Sequence, residues 1–488
     1  MTLTVRSIAL AAVCALLPSI GAAQAEDPMA IAARRAIESN PDVSARANAL
    51  RASLDAIGVA RGGWLPRVDA EAGVGRTEDR ITTRNPANGT LDRNGMALSV
   101  TQLLWDGQAL SQAIRRLDHD RQTRWFELLD STEQTALEAV RAYVDVVRMR
   151  RLVELAEESY VQHRYYQQQI QSRFRAGVGR GVDLEQAGAR VALAESNLAT
   201  ETANLHDVTS RYLRIVGEAP QQQPPRPGML SAGQPASAGE AMNLALRNSW
   251  AVNAAIENLR AARAAVRERE SAFLPKVEAR VRAGGGRNFD GVPDQKRDTS
   301  AELLLTWNLF AGGSDQARVR QQTNLMNQAA DLRDKACRDA RQTAAIAYND
   351  VGKLDEMLRA LDRNVLSIEK ARDAYRQQFD IGQRSLLDLL NSENELYTSK
   401  RAYANADFDR LLAQARVLAA VQQLTQRLGL RAPVNAADAG AEGSWDAGED
   451  LPQRCPAVVA EVLTTPKSEL DQRAQRLLNS ASPLQPSR

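Results

Sequence analysis

The chain repeats itself, and this internal duplication constrains its fold more than any other feature of the sequence. Residues 64–70 read WLPRVDA, and residues 273–279 read FLPKVEA, 209 positions later. A second pair, FRAG from Phe174 and FDIG from Phe379, is separated by 205 positions. The two repeats therefore differ in length by a few residues between these points, and we place this difference in a loop, where changes of length are tolerated. We therefore expect one structural plan to be used twice.

Five segments follow from the repeat. Residues 1–25 have the features of a secretory signal peptide, residues 26–217 form the first repeat and residues 238–430 form the second. Residues 218–237 are rich in Pro, Gln and Gly, so they are predicted to be a linker and not a helix. Residues 431–488 contain six prolines and are predicted to be a tail that is disordered in part.

The N-terminal segment has the three parts of a signal peptide. Arg6 supplies the positive charge, and residues 8–17 are apolar. Residues 23–25 (AQA) have the small-x-small pattern of a signal-peptidase cleavage site. Cys14 lies inside the apolar run and follows a valine, which disfavours a lipid-modified cysteine at the cleavage site. The mature chain is expected to begin at Glu26.

Each repeat predicts the same order of elements: a helix, two strands, a very long helix, a turn containing glycine and a returning helix. The long-helix segments lack proline and are rich in Ala, Gln, Glu, Arg and Leu, which favour helix. A helix of about 70 residues is roughly 100 Å long, more than an ordinary globular domain spans. The predicted bounds are 28–62 and 238–272 for the first helices, 107–175 and 313–380 for the long helices, and 183–217 and 386–428 for the returning helices.

The apolar residues of the long helices follow a coiled-coil pattern. Steps of four and three residues alternate, as in an a/d seam that packs against neighbouring helices. This pattern alone leaves open a periplasmic adaptor or another coiled-coil scaffold. The seam residues are Leu354, Leu358, Leu361, Val365 and Ile368 in the second half, with Leu137, Val140, Val144 and Val147 in the first.

The predicted strands alternate apolar and polar residues, as transmembrane barrel strands do. In the second half, Val277 to Ala283 alternates with charged residues, and Ala301 to Leu309 alternates with polar ones. The polar side would face a wet lumen and the apolar side lipid. Large aromatic residues cluster at the helix–strand junctions, as an interfacial belt would. They are Trp64, Trp105, Phe273, Trp307 and Phe310.

Four strands per chain are too few to close a barrel, and open strand edges cannot face lipid. Three chains would supply about twelve strands, an even number that suits an outer-membrane barrel. The predicted fold class is therefore an α+β membrane protein. The expected assembly is a homotrimer that closes one β-barrel.

The second turn and returning helix resemble the TolC family of outer-membrane efflux and secretion proteins. Residues 379–391 read FDIGQRSLLDLLN, similar to the aromatic-x-x-Gly turn and acidic-leucine segment of that family. The resemblance extends over nearly all of the mature chain as far as Leu430. It implies a channel-tunnel in the outer membrane of a Gram-negative bacterium, in which a trimeric 12-stranded β-barrel continues into a long α-helical coiled-coil barrel. This tunnel would reach into the periplasm and have a closed tip at the turns that contain Gly177 and Gly382.

The resemblance also implies roles for residues at the tip. The acidic ring of the periplasmic aperture falls on Asp388 and Asn391, so the second carboxylate is missing here. A link that holds the tip closed falls on Asp183 and Arg384, which predicts an ion pair. The family's tyrosine at the turn is Phe379, which cannot donate a phenolic hydrogen bond, so packing alone would remain.

Other features argue against an enzyme. The formal net charge of +2 does not favour nucleic acid as a partner, and no nucleotide-binding, nucleophile or zinc motif occurs. His119, His163 and His206 lack ligand spacing and are expected at the surface, without a metal or cofactor. Two further expectations concern small elements. Residues 284–286 are three glycines, placed in a loop that binds nothing, and Cys337 and Cys455 can pair as one disulfide.

The TolC resemblance is closest to the branch that serves type I secretion. This implies a periplasmic membrane-fusion adaptor, an inner-membrane ABC transporter and a protein cargo such as a large adhesin. The alternative is the outer-membrane component of a multidrug efflux pump driven by protons.

Overall fold

The structure is a computed structural model that describes residues 27–480, except 81, 84, 87, 292, 442, 443, 457 and 461. The predicted signal peptide, residues 1–25, lies outside the described residues. Within that part of the chain, no helix is both long and apolar enough to cross a membrane.

The first helix of each repeat is broken in two, so the prediction of one continuous helix is wrong. The breaks lie at equivalent points: α1 (Pro28–Ser39) is followed by α2 (Pro41–Gly62), and α5 (Ala238–Asn248) by α6 (Trp250–Glu270). Asn40 and Ser249, 209 positions apart, both leave helical geometry. Each caps the next helix with its side chain. Before Pro41 the helical conformation is also sterically disfavoured.

The long helices have equal lengths. Helices α3 (Ala109–Arg175) and α7 (Ser314–Asp380) contain 67 residues each and are therefore about 100 Å long. Helices α4 (Gly181–Val216) and α8 (Leu386–Ala420) return beside them. Each long helix thus forms a hairpin with the returning helix of its own repeat.

Helix α8 ends eight residues before the predicted position. Gln422 adopts a left-handed conformation (φ 60°), and the chain then forms the short helix α9 (Leu424–Arg427). The buried carboxylate of Glu133 caps α9, because Oε1 accepts a hydrogen bond from the Leu424 amide at 2.7 Å. A distant residue of α3 therefore fixes the start of α9, a contact that local sequence does not reveal.

The four strands form one antiparallel sheet in chain order. They are β1 (Arg67–Arg80), β2 (Asn88–Trp105), β3 (Lys276–Arg287) and β4 (Gln295–Thr306). The central pair joins the two repeats, because β2 pairs with β3. Strands β1 and β4 are the outer edges of the sheet and have no further partner within the described part of the chain.

The register separates the residues of the sheet into two faces. Val68, Val100, Val281 and Ala301 lie directly opposite one another in one row across all four strands. The adjacent row on the other face contains Asp69, Ser99, Arg282 and Ser300. The sheet therefore has one apolar face and one polar face, and the apolar side chains are largely exposed in the single chain.

The glycines at 284–286 lie within β3 and not in a loop, so that expectation is wrong. They continue the ladder with β2, where Gly284 faces Ala97 and Gly286 faces Gly95.

The main hydrophobic core lies where the two repeats meet, below the sheet. It joins α1, α2, the middle of α3, the end of α4 and the end of α8. The linker packs against this core: Tyr143 donates a hydrogen bond to the Pro225 carbonyl, and the Leu230 amide donates one to Gln414 Oε1. The largest fully buried side chains of the cluster are Met29, Leu50, Leu128, Leu418 and Leu424.

Part of the tail is held firmly against the helices. We name residues 434–441 and 444–455 the tail clasp. It crosses α3, α6 and α7, and a disulfide joins Cys337 of α7 to Cys455, with the two Cα atoms 6.0 Å apart. Further along, α10 (Lys467–Ser480) contacts none of these buried groups and is exposed. The ordered clasp lies within the segment predicted to be disordered in part.

Buried polar groups reinforce the clasp. Trp445 packs edge-on against Phe126, and its indole nitrogen donates to Glu257 Oε1 at 2.7 Å. Burial raises the pKa of the Asp450 carboxyl, but hydrogen bonds from Arg263 and Arg260 outweigh it and leave the pKa below its usual value. The clasp is therefore an electrostatic as well as a covalent attachment.

The histidines differ from expectation. His163 is buried on the inner face of α3, with Nδ1 2.8 Å from the Ser159 carbonyl oxygen. His119 is partly buried beside Glu257 at 2.7 Å, and only His206 is largely exposed. The described residues contain no cluster of His, Cys, Asp or Glu side chains placed to hold a metal ion.

Candidate functional site

The two turns at the end of the helical hairpins have the same backbone structure. Gly177 and Gly382 adopt left-handed conformations with φ near 77° and 79°. In each turn the glycine amide donates to the carbonyl of Phe174 or Phe379, and the next amide donates to the residue before that phenylalanine. This is the Schellman arrangement, in which glycine is favoured because it has no Cβ. The tip is therefore built twice from the same sequence signal.

The turn aromatics occupy different environments despite this repetition. Phe379 is buried among Ile170, Leu386 and Leu389, and the Arg173 guanidinium lies 4.8 Å from its ring centre. Phe174, the equivalent residue in the first repeat, is exposed. The structure thus places Phe379 where it packs the two hairpins together.

Asp388 and Arg384 are held within their own turn. Ser385 Oγ accepts from the Asp388 amide and donates to Asp388 Oδ2 at 2.9 Å, which caps α8. Arg384 lies 3.6 Å from the same carboxylate and stacks over the ring of Tyr375. Within the single chain Arg384 is therefore paired with Asp388 and not with Asp183, since a partner four residues along the chain is nearer than one on another hairpin.

Asn391 makes a contact that the sequence analysis missed. Its Oδ1 accepts a hydrogen bond from Arg190 Nη2 of α4 at 2.6 Å. The contact joins the returning helices of the two repeats at the tip. Asn391 therefore carries no carboxylate, and it joins the two hairpins by accepting a hydrogen bond from a charged guanidinium.

A buried polar cluster lies beside the Arg190–Asn391 contact, near the two turns. Tyr166 of α3 donates to Glu393 Oε1 of α8 at 3.1 Å, and Arg372 of α7 lies 3.2 Å from the same oxygen. Tyr166 and Glu393 are 2% and 5% exposed. Burial, followed by the charge of Glu393, raises the pKa of Tyr166, so its hydroxyl keeps its proton. The cluster ties three helices from both hairpins together.

Two further links continue upward along α8. Glu201 of α4 is buried and lies 2.6 Å from Arg401, and Arg148 of α3 lies 2.8 Å from Asp409. We name the four contacts between the hairpins the polar ladder. Over the 18 residues from its lowest to its highest contact, α8 rises about 27 Å. The members of the ladder are Arg190–Asn391, Tyr166–Glu393, Glu201–Arg401 and Arg148–Asp409.

One sequence signal could have indicated the ladder. Glu393 interrupts the buried face of α8 otherwise formed by Leu386, Leu389, Leu390 and Leu396. A carboxylate at a seam position requires a partner, because an unpaired buried charge is strongly unfavourable. The identity of that partner on α3 could not be read from the sequence.

The predicted interfacial aromatics lie at the junction of the sheet and the helices. Trp307 donates from its indole nitrogen to the Phe273 carbonyl at 3.0 Å, which joins the ends of β4 and α6. All five aromatic side chains are substantially exposed in the single chain. They lie at the opposite end of the helices from the tip.

Comparison with known proteins agrees with this architecture. The outer membrane efflux protein family model matches residues 32–217 and 241–423. The chain is 27% identical over 408 residues to the alkaline protease secretion protein AprF of Pseudomonas aeruginosa, covering 78% of this chain and 82% of AprF. It is 23% identical over 405 residues to the outer membrane efflux protein BepC of Brucella suis, covering 81% and 86%.

Two solved structures share the fold. The Campylobacter jejuni CmeC outer membrane channel superposes with a TM-score of 0.73 at 13% identity, covering 88% of this chain and 90% of CmeC. The outer-membrane channel OprN superposes with a TM-score of 0.72 at 19% identity, covering 81% and 90%. These proteins are outer-membrane channels and not enzymes, and the fold class and location predicted from the sequence are confirmed. The chain belongs to the outer membrane efflux protein family.

Proposed function

We propose that this protein is the outer-membrane exit channel of a type I secretion system that exports an unfolded polypeptide. The observation that favours secretion is the similarity to AprF, a protein named for alkaline protease secretion, over 78% of the chain. A large adhesin is the cargo that the family resemblance implies. As an unfolded chain, it would pass through the same channel as any other unfolded polypeptide.

The sheet and helices support a channel made from three copies. The unpaired edges of β1 and β4 can pair with neighbouring chains, and twelve strands would close a barrel with no edge exposed to lipid. The apolar face would then contact lipid, and the polar face would line the lumen. The long helices α3 and α7, each about 100 Å long, would extend the lumen into the periplasm.

The tip would act as the gate. The polar ladder holds the two hairpins of one chain together, and Asp388 would contribute one carboxylate per chain to the aperture. The predicted Asp183–Arg384 pair would have to form between hairpins brought together in the trimer. Opening would separate these contacts, and its free energy would come from a periplasmic adaptor and an inner-membrane ABC transporter.

Deletion of the gene tests whether the channel exports polypeptides or drugs. Proteins in the culture medium would be compared between the deletion strain and a strain complemented with the intact gene. We expect one or more polypeptides to disappear from the medium of the deletion strain, with unchanged drug susceptibility. An unchanged set of secreted proteins would contradict the proposal.

The second candidate is the outer-membrane component of a drug efflux pump. It is favoured by the similarity to BepC, which is named as an efflux protein. Increased drug susceptibility of the deletion strain, with all secreted proteins retained, would select this function and a proton-driven partner.

A further inference from the structure

The polar face of the sheet has a patch without side chains near its loop end. Gly73, Gly95 and Gly286 lie directly opposite one another on β1, β2 and β3. Gly284 lies two residues further along β3 on the same face. We name these four residues the glycine trough. Strands rarely contain so many glycines, unless another group approaches the backbone closely.

The group that approaches is Phe289, from the chain's own β3–β4 connection. A Cβ atom built on Gly95 would lie 2.4 Å from Phe289 Cδ2, and one built on Gly284 would lie 2.8 Å from Cζ. The Arg282 guanidinium lies 5.5 Å from the ring centre. Ala97, beneath the ring, is the one buried residue in the described parts of the four strands. A side chain at either glycine would therefore displace the ring.

Specific hydrogen bonds hold the connection in this position. Asn288 donates from its side-chain amide to the Asp92 carbonyl at 2.7 Å, and the Arg287 amide donates to Asn94 Oδ1 at 3.1 Å. Asn288 and Asp294 also bond to each other across the connection. Residues 288–291 are thus bent back over β2 on the polar face and do not extend straight from the hairpin.

We propose that Phe289 and the glycine trough seat the β3–β4 connection against the inner wall of the channel and narrow its outer mouth. Three copies would place three such connections around one ring, so the constriction would restrict by size what leaves the channel. This inference rests on the proposed barrel, in which the polar face lines the lumen. It concerns the end of the channel opposite the helical tip.

Polymer exclusion in planar bilayers tests the constriction independently of the tip. Polyethylene glycols of increasing size are added to the extracellular side, and the largest polymer that enters and lowers the conductance is recorded. We expect Phe289→Ala and Gly284→Val to admit larger polymers than the wild type. Phe289→Ala removes the ring, and Gly284→Val occupies the space of the ring and displaces it from the wall. Tyr165→Ala is the matched control, since Tyr165 is an exposed aromatic residue of α3 and lies far from the connection.

The outcomes separate this inference from the proposed barrel. An unchanged polymer cutoff in Phe289→Ala, with trimers that remain heat-modifiable on gels, would overturn the constriction. Absence of channel activity in the wild type would instead overturn the barrel. If Gly284→Val does not assemble, Phe289→Ala decides alone, because it removes only a half-buried ring from the lumen face.

Discussion

Tyr166 is the member of the polar ladder whose contribution can be isolated most cleanly. Tyr166→Phe keeps the ring in the core but removes its hydrogen bond to the Glu393 carboxylate, and a hydrogen bond to a charged group is worth about 1.5–3 kcal/mol. If this contact exists only in the closed tip, the open fraction rises about tenfold for each 1.4 kcal/mol. We expect higher single-channel conductance or more frequent opening in planar bilayers.

Tyr165→Phe is the matched control for this prediction. Tyr165 is the adjacent residue of α3, but it is exposed, and its hydroxyl only accepts from Gln169 one turn along the same helix. Its loss should leave the conductance unchanged. Equal conductance in Tyr166→Phe and the wild type would show that the Tyr166–Glu393 contact does not hold the tip closed.

At the scale of elements, the tail clasp is expected to stabilise the helices through its disulfide. Replacing Cys337 and Cys455 with serine removes a cross-link that closes a loop of more than a hundred residues, and about 2–5 kcal/mol of stability is expected to be lost. The clasp should nevertheless stay bound at neutral pH, because Trp445 and the carboxylates remain in place. Thermal unfolding in detergent would show the lower midpoint.

In the same serine variant, attachment of the tail clasp is expected to depend on pH. The pKa of Asp334 is below its usual value, since the hydrogen bonds from Arg454 and Arg333 outweigh the raising effect of burial; Asp450 is lowered similarly. Their stabilisation is present above the usual carboxyl pKa and is lost as the pH falls through the lowered values. Limited proteolysis of the serine variant should therefore release the tail faster below about pH 4 than at pH 7. Equal rates would contradict the electrostatic attachment.

At the scale of the whole molecule, a charge is expected to have opposite effects on trimer assembly when it is placed on the two faces of the sheet. Leu303→Arg places a charge on the apolar face, where it should cost about 2–4 kcal/mol near the bilayer centre. Ser300→Arg places the same charge on the polar face, in the row of Asp69 and Arg282. We expect the first variant to lose heat-modifiable trimers from outer-membrane fractions and the second to retain them. Equal yields would mean that the apolar face does not contact lipid.

The sequence by itself determined the duplicated plan, the two long helices, the alternating strands and the turn glycines. Each follows from a local pattern: a repeat, a helical or two-residue period, or a left-handed backbone position that favours glycine. Even so, local patterns missed the breaks at Asn40 and Ser249.

Only the tertiary structure decided which side chains meet. It joined Tyr166 to Glu393 and Asn391 to Arg190, capped α9 through Glu133, and seated Phe289 over Gly95. These partners are separated by 190 or more positions in the chain, and pairing at such distances depends on how the hairpins and strands pack. That packing is a property of the whole fold, so no local period in the sequence records it.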